Sequence, residues 1–116
     1  MINIEQANIY LANTPVDFRK SIDGLSMIVS NEYNCNPGSG DVYVFYNKNK
    51  DKLKMIYYDG TGFVLCYKRL EGGKLIIALN TETAQYHMDK AQFHWLLSGL
   101  DFMRLKKLPK EYQDYP

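Results

Sequence analysis

Lys48, Lys50, Lys52 and Lys54 alternate through the segment NKNKDKLK, interleaved with Asn47, Asn49 and Asp51. Lysines at every second position of an extended strand share one face, and a turn at the start of such a strand presents them to solvent. Ammonium groups so arranged suit phosphate contacts, which need point charges and carry no base reading. Arg19, Lys20, Lys68 and Arg69 are candidates to extend that surface if a helix and the sheet pack suitably. Tyr58 and Tyr67 lie in the same stretch, and aromatic rings beside a basic strip can stack on unpaired bases. The plain structural reading competes with this one: a solvated loop followed by an edge strand that lysines protect from aggregation.

A second chemistry would use the carboxylates. Asp17, Asp59 and Glu71 are the candidates for a metal-dependent nuclease, which needs clustered acids to hold hard cations. Asp17 and Asp89, however, sit where helices should begin, and Asp59 precedes a glycine in a turn, so each has a structural role to fill first. His87 and His94 lack a cysteine or carboxylate at zinc spacing. No G-x-S-x-G, Walker loop or G-x-G-x-x-G is present, so no catalytic residue, metal or cofactor is expected. Cys35 and Cys66 lie far apart, and without an export signal both are expected as free thiols in the cytoplasm. No stretch is long and apolar enough to span a membrane.

The elements that would position these residues follow from pattern. INIEQANIYL, residues 2–11, reads as an opening strand. Thr14-Pro15-Val16-Asp17 reads as a helix start, with Thr14 at the N-cap, Pro15 in the first helical position and Asp17 at the third. Phe18, Ile22, Leu25 and Val29 follow on one helical face, and the helix should stop near Asn31, before the turn formers Asn34 to Gly40. Three β-like runs come next: Val42–Tyr46, Lys52–Tyr58 and Gly62–Leu70. NKNKD joins the first two, and Asp59-Gly60 marks a tight hairpin between the second and third. A fourth run is Lys74–Leu79. Consecutive runs with short turns predict an antiparallel meander of four to five strands. Both faces of these runs are partly apolar, so helices are expected over one face, leaving part of the other half-exposed and aromatic. A last helix should begin at Asp89, capped by Asp89 and Gln92, stapled by Met88 and Phe93, and stopped by Gly99.

The expected fold is therefore α+β, one domain over residues 1–103 with two main helices, followed by a basic tail rich in Tyr and Pro at 104–116. The chain has 116 residues, and a length in this range bounds one domain. Its net charge of +1 hides an uneven distribution. Residues 1–41 carry two basic and five acidic groups, residues 42–70 six and two, and residues 71–116 six of each. Half of the ten tyrosines also fall between Tyr43 and Tyr67, in the basic stretch.

NIYLANTPVDFRKSIDG, residues 8–24, resembles the opening signature of the TnpB, or Orf2-like, accessory proteins of IS66-family insertion sequences. Residues 41–71 resemble a second signature, carried by Asn47, Asp51, Lys54, Tyr58, Asp59, Gly62, Phe63, Tyr67, Lys68, Arg69, Leu70 and Glu71. Leu96–Asp101 is similar to a closing Leu-Leu-x-Gly-Leu-Asp. Lys48 and Lys50 stand where the family more often has arginine, which keeps the charge and gives up the bidentate phosphate fork. The resemblance implies a non-catalytic accessory factor of transposition, acting beside a separate transposase. The implied partners are insertion-sequence DNA and the cognate transposase. The alternative is a protein–protein adaptor that does not touch DNA.

Overall fold

The computed structural model describes residues 6–77 and 82–105. Five strands and two α-helices follow in the order β1 (Ile9–Ala12), α1 (Ile22–Asn31), β2 (Val42–Tyr46), β3 (Lys52–Tyr58), β4 (Phe63–Arg69), β5 (Gln85–Met88) and α2 (Lys90–Leu97). A single 3₁₀ turn at Phe102–Arg104 closes the described chain. The architecture is α+β, and the sheet order is β4-β3-β2-β1-β5.

The sheet is mixed, which corrects the expected antiparallel meander. β2, β3 and β4 do form consecutive antiparallel hairpins, but β1 pairs with β2 in parallel, Ile9 opposite Val42 and Leu11 opposite Val44. The reason is α1. A helix between two strands carries the chain back along the sheet, so the second strand enters in the same direction as the first. β5 was not anticipated. Its four residues add antiparallel to β1, Ile9 opposite Met88, and QYHM is too short and too polar to announce a strand. Of the expected run Lys74–Leu79, residues 74–77 form no strand, and 78–79 lie outside the described residues. So do residues 2–5 of the expected opening strand and 106–116 of the tail.

Helices cover both faces of the sheet, another departure from expectation. On one side Tyr33, just after α1, stacks on Phe45 of β2 at 6.2 Å, and Phe18 meets Tyr67 of β4 edge-on at 6.4 Å. On the other, Gln92 of α2 donates to the Tyr86 hydroxyl, and Tyr86 packs against Phe102. β2 is therefore buried on both faces, and all five residues of VYVFY lie in the core. Leu25, Ile28 and Val29 of α1 and Phe93 and Leu96 of α2 complete it.

The two helix starts came out differently. α2 begins as expected: Asp89 accepts from the Gln92 N–H at 2.8 Å, and the Gln92 side chain accepts from the Asp89 N–H at 3.0 Å. It ends at Gly99, φ +76°, where the Gly99 N–H reaches the Leu96 carbonyl and the Leu100 N–H the Trp95 carbonyl. That doubled bonding requires a left-handed residue, which glycine supplies without strain. α1, by contrast, starts at Ile22 with Ser21 as its N-cap, not at Thr14. Asp17 Oδ1 accepts from the Arg19 N–H two residues on, closing a local turn in place of a helix cap. The carbonyls of Phe18 and Lys20, which a helix would need, are taken by the Lys54 ammonium.

Candidate nucleic-acid interface

The β2–β3 turn is built by Asn47. Its side-chain oxygen accepts from the N–H groups of Asp51 and Lys52, both at 3.0 Å, and its amide donates to the Asp51 carboxylate. That amide, more than the neighbouring lysines, holds the Asp51 carboxyl below its ordinary range. Lys50 takes a left-handed conformation, φ +57°, inside this turn. Lys48 and Asn49 stand exposed at the tip.

From here the four alternating lysines part company. Lys48 is exposed and Lys52 half-buried. Lys50 turns its ammonium onto the Ile77 carbonyl at 2.8 Å. Lys54 is only 7% exposed, so it leaves the expected solvent-facing strip. Its ammonium donates to the Phe18 carbonyl at 2.9 Å and the Lys20 carbonyl at 2.8 Å, and lies 5.0 Å from the centre of the Phe18 ring and 5.8 Å from that of Tyr67. Lys54 is thus a clamp that ties the segment before α1 to the sheet, with two carbonyls and two ring faces around one cation. The signal for it was a lysine between Leu53 and Met55, inside an otherwise apolar run, and alternation alone gives the face of a residue but not what covers it.

The other cations divide between the two faces. By register, Lys52 lies directly opposite Arg69, and Lys54 opposite Tyr67, on the α1 side of the sheet. The Lys54 clamp holds the backbone of Phe18 and Lys20 on the same side, and the Arg19 and Lys20 residues there are exposed. Lys68, one residue from Arg69, points to the other face, where its ammonium donates to the Leu97 carbonyl at the end of α2. Two of the cations are balanced locally: Arg19 pairs with Asp17 at 2.7 Å, and Arg69 with Glu71 at 3.0 Å. The Arg19 guanidinium holds the Asp17 carboxyl at about 2. Such exposed pairs open readily for a better anion.

Tyr67 is 54% exposed beside this strip. Tyr58 shares its face, four positions along β3 from Lys54 and so about 13 Å away. Its hydroxyl donates to the Gly60 carbonyl and its ring meets Phe63 edge-on at 5.2 Å, so it caps the β3–β4 turn. An aromatic row that sequence reasoning missed crosses β2, β1 and β5: Tyr43 stacks on Tyr10 at 5.5 Å, and Tyr10 meets His87 at 5.0 Å. Only the register of the unanticipated β5 brings His87 into it.

The carboxylates of the nuclease reading are kept apart. Asp59 and Glu71 lie beyond opposite ends of β4, a strand of seven residues and so about 24 Å long. Asp59 Oδ1 accepts from the Thr61 N–H and hydroxyl and the Gly62 N–H, and these bonds lower its pKa. Among the described residues no group of three His, Cys, Asp or Glu side chains is placed to hold a metal ion, and both cysteines are free thiols. No helix among them is long and apolar enough to cross a membrane.

Two proteins of Sinorhizobium fredii (strain NBRC 101917 / NGR234) are similar to this chain. One, "Uncharacterized protein y4jC", is 41% identical over 101 residues, covering 87% of this chain and 86% of its own length. The other, "Uncharacterized protein y4hO", is 30% identical over 98 residues, 84% of each. No solved structure matches. The sequence profile described as "IS66 Orf2 like protein" matches residues 7–107, a span that runs from just before β1 to just past the 3₁₀ turn. The chain belongs to that family.

Proposed function

We propose that this protein is a non-catalytic accessory factor of insertion-sequence transposition that touches DNA through the α1 side of the β3–β4 hairpin. The contact strip is Lys52 and Arg69 with Arg19 and Lys20 beside them, Tyr67 between, and Lys48 at the turn tip. The observation that carries this reading is the register that sets Lys52 opposite Arg69, next to a half-exposed tyrosine. Point charges around one ring suit a phosphate backbone with an unpaired base against the ring. Lys50, Lys54 and Lys68 spend their ammonium groups on backbone carbonyls, and they support the strip without joining it.

A titration of element-end DNA at graded salt tests the proposal. Lys52→Ala and Arg69→Ala should each weaken binding and lower the salt slope by about one. Lys68→Ala should leave the slope unchanged. Absence of salt-dependent binding by the parent protein would remove direct DNA contact.

The adaptor reading draws on a separate observation, the exposure of Phe63 at 37% and Tyr67 at 54% on the outermost strand. It expects the transposase to copurify after nuclease treatment and to be lost in Tyr67→Ala. The nuclease reading expects cleavage with magnesium or manganese. With Asp17, Asp59 and Glu71 each engaged in its own turn or ion pair, no product is expected.

A further inference from the structure

β4 is seven residues long and forms one outer edge of the sheet. The bonding phase of its hairpin with β3 is fixed at both ends. The Asp59 N–H donates to the Gly62 carbonyl at 3.0 Å, and the Leu70 N–H to the Asp51 carbonyl at 2.8 Å. Both pairs continue the register that runs from Tyr58 opposite Phe63 to Lys52 opposite Arg69. Antiparallel partners alternate between pairs that exchange hydrogen bonds and pairs that do not. Val64, Cys66 and Lys68 therefore direct their N–H and C=O groups toward β3. Phe63, Leu65, Tyr67 and Arg69 direct theirs outward, where the sheet holds no further described strand. An edge of this length, with two exposed aromatic side chains, is a template for another strand.

The strand is complementary to itself run backwards. In the antiparallel alignment that engages all seven residues, a two-fold axis passes through Cys66. Phe63 then faces Arg69 of the second copy, Val64 faces its Lys68, Leu65 its Tyr67, and Cys66 its Cys66. The cations meet aromatic or aliphatic partners, never each other. The bonding phase agrees as well: the Phe63–Arg69 and Leu65–Tyr67 pairs fall on the outward-directed positions, so each outward N–H and C=O of both strands finds a partner. A slip of one residue sets outward groups against inward ones. A slip of two leaves one end without a partner, and a slip of four toward the C-terminal end sets Lys68 against Lys68. We propose that this protein pairs with a second copy of itself through β4, antiparallel about Cys66. The axis stands perpendicular to the sheet, because each pair joins residues of the same face. Both α1 sides then look the same way across one continuous sheet.

Cys66 serves as a ruler for this register. It falls in a pair without hydrogen bonds, where the Cα atoms come within about 4.5 Å and the side chains are close enough for a disulfide. In the full-length protein, diamide removes the two thiol hydrogens, becoming the hydrazine, and joins the sulfurs. The cross-linked dimer is expected in the parent protein and in Cys35→Ser, and is lost in Cys66→Ser. Sedimentation equilibrium supplies the second measurement. Val64→Lys places like charges opposite each other twice per dimer and should raise the dimer Kd about tenfold, whereas Val64→Glu meets Lys68 and should leave it equal or lower it. A parent protein that stays monomeric up to its solubility limit overturns the proposal. So does a cross-link that requires Cys35, or equal weakening by both Val64 variants. If either Val64 variant fails to fold, judged by circular dichroism, the cysteine experiment stands on the unaltered strand and decides alone.

Discussion

Lys54 shows how far a single residue can sit from what its surroundings in the chain suggest. It is one of four alternating lysines, and alternation correctly gives it the same face as Lys52. What the pattern cannot give is the segment that covers Lys54, because the cover comes from Phe18 and Lys20, distant in sequence and irregular in backbone. Lys54→Met keeps the stem and removes the donor. It should lower stability by about 1–3 kcal/mol in urea unfolding, since the Phe18 and Lys20 carbonyls lose a charged partner. The same variant should bind DNA with an unchanged salt slope, which separates a structural lysine from a contacting one. Arg69 is the converse case. Its local sequence, Lys68-Arg69, suggests one doubled charge, yet the pleat sends the two side chains to opposite faces.

At the scale of the element, the parts legible in the sequence are those whose determinants are local. The Asp89–Gln92 capping box and the Gly99 stop involve residues within one turn of each other, and both form as read. Asp89→Ala should destabilise the protein by about 1–2 kcal/mol, measurable as a lowered thermal midpoint, because a buried cap loses its acceptor. The start of α1 at Ile22, and not after Thr14, has the opposite origin. Thr14-Pro15-Val16-Asp17 has good capping chemistry, but Val16 donates its N–H to the Tyr46 carbonyl at the end of β2, and Asp17 bonds Arg19. Contacts across the fold outcompeted local preference. The three hairpin runs were legible because apolar and β-branched residues cluster between strong turn signals, whereas β5 has neither the length nor the composition and exists because β1 offers an edge.

For the whole molecule, the uneven charge along the chain carries over into space only in part. The basic stretch becomes one hairpin, but the hairpin has two faces and the cations are shared between them. The tyrosines of that stretch divide likewise: Tyr43 and Tyr46 go into the core, and Tyr67 stays out. Burial pushes the Tyr46 hydroxyl up to about 12, and burial raises Tyr33 and Tyr43 further still. A folded-state pKa above the unfolded value of 10.0 contributes stability that is complete below that pH and lost as pH rises through the folded value. Urea midpoints should therefore hold steady up to about pH 10 and fall from there toward 12. Tyr46→Phe should soften that fall.

The parallel seam between β1 and β2 has a consequence for the order in which the molecule assembles. β2, β3 and β4 meet across short turns, so their closure entropy is small and they can form early. β1 must wait for α1 to cross over, and β5 joins β1 by pairing Ile9 with Met88, almost from one end of the described chain to the other. We expect the hairpins and α1 to be organised in the folding transition state and β5 to dock after it. Met88→Ala, in a residue only 1% exposed, should then speed unfolding while leaving the folding limb of the chevron in place. Val44→Ala, at the centre of β2, should slow folding itself. The last strand is in this sense a latch, and its opening frees the edge of β1 long before the hairpins come apart.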